Sequence, residues 1–483
     1  MSEVLYERAR QSRDPRFDGR FFVAVKTTGI YCRPICPAVT PKRRNVEFYA
    51  TAAAAAEAGF RPCLRCRPEA APGSPAWNGT STTVRRGLRL IAGGALEDAG
   101  IPALAERLGV TDRHLRRLFQ KHVGASPQAI AQTQRLHFAK RLIDQTNLPM
   151  AEVALAAGFG STRRFNDAVK RTWQRSPREL RKLNGGGHDL ETLRLLLSYR
   201  KPYDWQKLAA FFGDRAITGV ESVEAGVYRR VVQGENAPGI VEVRDTGVAL
   251  EAKVRGVAPA ALFGLAETLR DVFDTDAPIH EIAAVLSDEP LLAAELETTP
   301  GIRAPGAWDR FELVVRAILG QQISVTAATT LAGRIAERYG EPLPPALAAA
   351  SGLERAFPRA ERLMRARLES LGIVSARAAT IRRIARAMHT GALVIDPSTD
   401  RETLRDALIA IKGIGAWTAD YVLMRAMKDP DAFPAADLGL LKGATPDGAD
   451  RPTPRELERQ SRAWQPWRAY AALLLWQRSA SGG

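Results

Sequence analysis

After position 66 this 483-residue chain contains no cysteine. The absence excludes a disulfide framework and any thiol chemistry from everything that follows. No apolar run approaches the roughly 20 residues that a membrane-spanning helix requires. Met1 to Arg20 is polar and charged, so no secretory leader is expected and the predicted compartment is reducing. Acid is scarce beside base. The chain carries 69 Lys and Arg against 53 Asp and Glu, a formal charge of +16 and a pI near 10.0. That balance suits a polyanionic partner rather than an acidic small substrate. Aromatics are only 7% of the chain, so their clustering in particular segments is informative, while the 45% hydrophobic content is ample for packed cores. The length predicts three or four domains.

What cysteine there is lies in one stretch. Cys32-Arg-Pro-Ile-Cys36 is followed, after 26 residues, by Cys63-Leu-Arg-Cys66. Two close thiol pairs form the ligand set of one tetrahedral zinc. Spacing alone would favour a purely structural zinc, and two disulfides would need an oxidising compartment. The neighbours are basic: Arg33, Arg61, Arg65 and Arg67 alternate with the cysteines, and Lys42, Arg43 and Arg44 lie between the pairs. Arginine around a thiolate cluster points to a site that meets phosphate.

The words around these cysteines carry a resemblance. Phe21-Phe-Val-Ala-Val-Lys-Thr-Thr-Gly-Ile-Tyr-Cys32 and Ala58-Gly-Phe-Arg-Pro-Cys-Leu-Arg-Cys-Arg-Pro68 are similar to the amino-terminal domain of the Ada family of alkylation-response proteins, over residues 1–75. The resemblance implies a small α/β zinc domain. It implies that Cys32 accepts a methyl group from a DNA methylphosphotriester, with Cys36, Cys63 and Cys66 as companion ligands. The chemistry is sound, because a thiol attacks carbon as a thiolate and zinc deprotonates it at neutral pH. Methylating one of four thiolates removes one negative charge beside DNA, which is a local electrostatic switch.

From 83 to 183 the chain repeats itself at a period near 50. Leu104-Ala-Glu-Arg-Leu-Gly109 recurs as Val153-Ala-Leu-Ala-Ala-Gly158, and the copies close on Ser126-Pro127 and Ser176-Pro177. Each copy reads as two helices around a glycine turn. Thr111 to His122 carries Arg113, His114, Arg116 and Arg117, and Ser161 to Thr172 carries Arg163 and Arg164. Such second helices set their first turns against base edges and their cations on phosphate. The linking helix Gln128 to Asp144 is amphipathic, with Leu136, Phe138, Ala139 and Leu142 as core. The pattern resembles the AraC/XylS regulators, whose DNA-binding domain is a duplicated helix-turn-helix. Gln174 stands where that family usually has glycine, and a local change of turn is expected there.

Late in the chain, Leu408-Ile-Ala-Ile-Lys-Gly413-Ile-Gly415-Ala-Trp417-Thr-Ala-Asp-Tyr421 reads as a helix-hairpin-helix. Gly413 and Gly415 let the backbone approach a DNA phosphate. Asp437 follows in Phe433-Pro-Ala-Ala-Asp-Leu-Gly-Leu440. Together with Lys201-Pro-Tyr-Asp-Trp205, Phe311 to Val325 and Trp464 to Trp476, this resembles the helix-hairpin-helix DNA glycosylases and, within them, the 3-methyladenine DNA glycosylase II (AlkA) family. The resemblance implies an α/β amino-terminal part over 190–300 and an all-α glycosylase core over 301–480. It implies that Asp437 is the catalytic carboxylate, that Phe211, Trp417, Tyr421 and Trp476 line the base pocket, and that Gln322 sits at the wedge position. It also implies a possible monovalent cation at the hairpin turn. Strand-cutting relatives carry a lysine where this chain has Trp417, so a monofunctional glycosylase is expected. Asp437 as a plain helix cap is the competing reading.

The whole is expected to be multidomain and mainly α, a fusion of damage sensor, transcriptional activator and alkylbase glycosylase. The expected partners are damaged and promoter DNA and RNA polymerase, for a cytoplasmic, nucleoid-associated monomer. A guanine-dealkylating thiol would need a fifth cysteine, and none follows Cys66. The alternative is a regulator whose second half clamps DNA without catalysis. Linkers are expected at 71–82 and 184–189, a short helix at Thr51 to Ala58, and a loose connection at 340–351.

Overall fold

A computed structural model describes residues 3–72, 82–96, 100–183, 192–396, 399–446 and 448–481. Of the expected linkers, 184–189 and most of 71–82 lie outside the described residues. Contacts divide the chain into two compact units. One comprises Met1–Arg200 with Thr246–Thr268, the other Lys201–Asp245 with Leu269–Gly483.

The first unit opens with a small sheet of β1 (Phe22–Val25), β2 (Ile30–Cys32), β3 (Val46–Tyr49) and β4 (Arg61–Pro62), in the order β3-β1-β2-β4. β1 is antiparallel to β2 and β3, whereas β2 and β4 run parallel with Tyr31 opposite Pro62. That register sets Cys32 beside Cys63 and so joins thiol pairs that are distant in sequence. Phe21, Val23 and Val46 are buried on one face, and Phe22, Ala24 and Tyr31 on the other. Thr51 caps the expected short helix, Ala52–Glu57, through the Ala54 amide.

The repeat folds as predicted, around the linker helix Pro127–Gln145. Gly109 and Gly158 take φ of +68° and +72° at the two turns. The second helices, Asp112–Val123 and Thr162–Trp173, are capped by Thr111 and Ser161 and bury Leu115, Phe119, Phe165 and Trp173. Ser126 and Ser176 cap the next helices, each with proline at the first turn, where its missing N–H costs nothing. The turn after the second copy is not altered. Gln174 adopts the left-handed φ of +56° that Gly124 adopts at +72° in the first copy. The geometry is kept and the non-glycine residue carries the strain. The unit also holds β5 (Leu193–Ser198).

In the second unit, β6 (Glu221–Glu224), β7 (Val227–Val232) and β8 (Gly239–Asp245) form an antiparallel meander. β9 (Ala249–Arg255), in the first unit, pairs antiparallel with β5. β5, β7 and β8 are the strands that alternation predicts; β6 and β9 carry charges that hide it. From residue 269 the second unit is almost entirely helical. Residues 340–351 are more ordered than expected, with a two-residue strand and the helix Pro345–Ser351.

Candidate functional site

Cys32, Cys36, Cys63 and Cys66 place their sulfurs within 4.8 Å of one another. Tetrahedral zinc with Zn–S near 2.3 Å needs edges of about 3.8 Å, so the donor set fits one zinc. Packed as bare thiols the four conflict. Hydrogen bonding with Cys36, Cys63 and Cys66 pushes the Cys32 thiol far up, while Cys63 is driven down chiefly by Cys32. A divalent cation resolves the conflict by taking all four as thiolates.

The ligands are not equivalent. Cys63 and Cys66 are buried, and Cys32 and Cys36 are half-buried. The Arg33 amide donates to Cys66 Sγ at 3.3 Å, and the Ala38 amide reaches Cys36. Among the described residues no backbone amide donates to Cys32. The half-open sulfur with the least hydrogen-bonded charge is therefore Cys32.

The arginines between the cysteines divide. Arg61 and Arg65 are exposed. Arg33 is spent internally, on Asp18 at 2.8 Å and on the Cys66 carbonyl. Arg67 pairs with Asp144 on the linker helix, as does Lys140 at 2.6 Å, and Lys140 reaches Glu69 at 3.7 Å. Tyr31 bonds through its hydroxyl to Nε2 of His137 on the same helix at 3.0 Å. Of the four arginines that alternate with the cysteines, Arg61 and Arg65 are left exposed, while Arg33 and Arg67 are paired within the protein. The seam on the linker helix had no sequence signal, because Lys140, Asp144 and His137 look like its solvated face.

All six basic residues picked from the second helices lie on the surface of those helices. Arg113, Arg116, Arg117, Arg163 and Arg164 are exposed and His114 is half-exposed. Arg116 pairs with Asp112 at 2.7 Å, and Arg117 meets His114 Nδ1 at 3.0 Å.

In the second unit the hairpin joins helices Arg401–Ile409 and Ala416–Ala426. Gly413 has φ +101°, and a Cβ there would lie 2.0 Å from Thr380 Oγ1. Gly415 faces open space, and no side chain caps the helix it begins. The first amides of that helix are thus free to meet an anion. Gln321 donates to the Gly413 carbonyl and to Thr418, each at 3.0 Å. Beside it, Gln322 is exposed at φ +59°, a strained backbone conformation for a non-glycine residue.

Asp437 does cap a helix, Leu438–Gly443, accepting the Leu440 amide on Oδ1 at 3.0 Å. It also accepts the Trp476 indole N–H on Oδ1 at 2.8 Å and the Trp417 indole N–H on Oδ2 at 2.7 Å. Three donors fix one half-buried carboxylate at the edge of a cavity of about 430 Å³. Gly439 makes room, since a Cβ there would lie 2.9 Å from Trp476 and 3.0 Å from Asp437. Trp417 stacks on Tyr421 with centroids 5.4 Å apart and planes at 11°, and Tyr421 meets Trp476 at 6.3 Å. Phe211 also lines the cavity, but Arg215 and Arg425 lie over its ring at 3.9 and 4.8 Å. Arg425 is buried and donates to the Tyr421 hydroxyl at 2.7 Å; burial pushes its guanidinium below the usual range. In the cavity wall Arg230 bridges Glu221 and Glu312, and Arg316 binds both acids. These buried arginines escaped sequence reasoning because nothing distinguishes them from surface cations.

Four family models match in chain order. They are the metal binding domain of Ada over 6–69, a helix-turn-helix domain over 104–183, the AlkA N-terminal domain over 193–309, and the HhH-GPD superfamily base excision DNA repair protein over 315–469. A probable bifunctional transcriptional activator/DNA repair enzyme AlkA of Mycobacterium tuberculosis (strain ATCC 25618 / H37Rv) is 41% identical over 474 residues, 97% of this chain and 95% of the relative. DNA-3-methyladenine glycosylase 2 of Escherichia coli (strain K12) is 34% identical over 292 residues, 58% of this chain and 95% of that protein. In fold, a 3-methyladenine DNA-glycosylase from Archaeoglobus fulgidus matches with a TM-score of 0.53 at 22% identity, covering 59% of this chain and 98% of that one. The chain belongs to the family of bifunctional transcriptional activator/DNA repair enzymes AlkA, in which an Ada-type zinc domain and a helix-turn-helix domain precede a helix-hairpin-helix glycosylase.

Proposed function

We infer that the second half of this chain hydrolyses the N-glycosidic bond of alkylated bases such as 3-methyladenine and leaves the strand intact. The observation that carries the reading is the Asp437 carboxylate, held by two indole N–H groups at the mouth of an aromatic cavity. A base flipped from the duplex meets Trp417, Tyr421 and Trp476, whose electron-rich faces attract a ring made cationic by methylation. As the bond breaks, positive charge grows on the sugar and the fixed carboxylate stabilises it. With Trp417 in place of a lysine there is no amine to form a Schiff base. Gln322 fills the stack and the hairpin amides of Gly415 and Ala416 hold a phosphate, with a monovalent cation at the turn.

In the first half, Cys32 attacks the methyl carbon of a methylphosphotriester. The C–O bond breaks, its electron pair stays on the phosphate oxygen, and a thioether forms on Cys32. Zinc, when bound, keeps that sulfur a thiolate at neutral pH. Arg61 and Arg65 attract the DNA. The product carries one negative charge fewer, so the exposed arginines of the two recognition helices bind promoter DNA more tightly and bring RNA polymerase to it. The protein acts as a monomer in the cytoplasm.

The deciding experiment is incubation with methylated duplex, identification of released bases, and mass analysis of the protein. Free 3-methyladenine and one added methyl on Cys32 are expected. A protein that binds the duplex and releases no base is a clamp, and the glycosylase reading falls.

A further inference from the structure

The second unit has a further cavity, which shares Trp417 with the base pocket. Its volume is about 680 Å³, and Ala416, Trp417 and the loop Phe433–Ala436 form one wall. Helix Pro454–Gln460 and the turn Ser461–Trp464 also contribute to its lining. Six arginines line it against two carboxylates, Asp420 and Glu458. Both acids are consumed: Asp420 by Arg405 at 2.7 Å, Glu458 by Arg468 at 3.0 Å. Arg401 is likewise held, by Asp429 and Asp431.

Three cations remain. Arg455, Arg459 and Arg462 are exposed, and among the described residues none of them makes a salt bridge. Arg455 and Arg459 stand at i and i+4 on helix Pro454–Gln460, one above the other, and Arg462 follows in the turn Ser461–Trp464. Along the helix and the turn they span about 11 Å, at 1.5 Å per residue in the first and 2.0 Å in the second. One strand of duplex DNA advances about 3.4 Å per phosphate along its axis, so the three cations span three to four successive phosphates rather than one small anion. The same lining contains Ala416, in the first turn of the helix whose amides are open at the hairpin. It also contains Ala436, the residue before Asp437.

We propose that Arg455, Arg459 and Arg462 form a second phosphate track, which holds the DNA strand where it leaves the hairpin and passes the Asp437 loop. This extends the glycosylase reading above. The track supplies affinity and register for the duplex beside the lesion and takes no part in bond breaking. Its guanidinium groups suit phosphate oxygens and read no base edge.

The test is the full-length protein with Arg455→Gln, Arg459→Gln and Arg462→Gln combined, all surface changes that leave the fold intact. A charge-matched control carries Arg338→Gln, Arg365→Gln and Arg386→Gln, outside the groove. Binding of an undamaged duplex is measured from 50 to 200 mM salt, and single-turnover excision is measured on a methylated duplex. We expect the slope of log K against log salt to shrink by two to three, near 0.9 per lost phosphate contact. The half-saturating concentration should rise at least tenfold, while the maximal excision rate stays within twofold of wild type. The control triple should change the slope by less than one. Equal slopes in wild type and the groove triple, or an equal loss in the control, would overturn the track. A wild type that excises nothing would sink the glycosylase reading alone, because the salt slopes are read on undamaged DNA.

Discussion

Trp417 donates its indole N–H to Oδ2 of Asp437 at 2.7 Å while its ring stacks on Tyr421. One side chain therefore orients the carboxylate and walls the cavity beside it. Trp476 repeats the pairing on Oδ1. A carboxylate caught between two indole donors has little rotational freedom and keeps its charge directed at one point, the arrangement that electrostatic catalysis needs.

Asp437→Asn removes that charge. One amide cannot accept from both indoles, so its NH2 must oppose one of them. We expect single-turnover excision of 3-methyladenine to fall by about 10²–10³ or more. Duplex affinity should stay within a few fold, because phosphate contacts supply it. Near wild-type excision by this variant would remove Asp437 from catalysis.

Trp417→Lys places an amine where strand-cutting relatives have one, at the expense of an indole donor and a stacking face. Excision of cationic bases should drop, with slow strand cleavage as the most it could gain. Wild-type protein should break the strand only after alkali. Breaks without alkali from the wild type would contradict the monofunctional assignment.

Cys32→Ser should abolish methyl uptake, seen by mass after exposure to methylphosphotriester DNA, and leave the rate of base excision unchanged. The two reactions rest on residues of different compact units. If excision falls by more than the folded fraction does, the reactions are not separable.

Gln174→Gly relieves a left-handed residue at an exposed helix end while losing its bond to the Arg171 carbonyl. The two effects oppose. Relief of φ +56° is the larger, so denaturant unfolding should show the first unit stabilised by about 0.5–1 kcal/mol. A destabilised variant would mean that the side-chain bond outweighs the strain.

His137 titrates against stability. Burial, helped by the nearby Arg141 cation, pushes its imidazole down to about 3 from an ordinary 6.5. Between those values the unfolded chain binds the extra proton. The neutral ring's contribution is thus complete above about pH 6.5 and is lost as pH falls toward 3, by up to about 1.4 kcal/mol per pH unit. His137→Gln keeps an acceptor for Tyr31 and cannot titrate. Its unfolding midpoint should fall less steeply from pH 6.5 to 5 than that of the wild type. The zinc thiolates take up protons in both proteins, so the comparison cancels them. Parallel pH profiles would mean that the imidazole is solvated.

Much of this architecture was legible in the sequence. Cysteine spacing announces the metal, glycine turns and Ser-Pro caps announce the duplicated helices, and Gly413, Gly415 and Asp437 announce the hairpin. Those signals are local: each is a short run whose chemistry is fixed by its neighbours. What stayed hidden depends on pairing across the chain. β6 and β9 carry charges that look solvent-facing, yet Glu221 and Glu251 are buried against Arg230 and Arg194. Arg425 reads as one of many surface cations and sits inside the pocket wall. Gln174 reads as the loss of a turn, but the turn survives because the flanking helices determine it.

The seam formed by Tyr31 with His137 and by Arg67 and Lys140 with Asp144 separates ancestry from cooperativity. The first 75 residues resemble a module that could be inherited alone, yet here their buried groups find partners on a helix from the next module. A fragment cut at that boundary would expose Tyr31 and leave Glu69 without Lys140. Such a fragment would report on the isolated piece and not on the sensor as this protein uses it. Amide exchange in β2 and in the linker helix should therefore slow and quicken together, as one unit of opening.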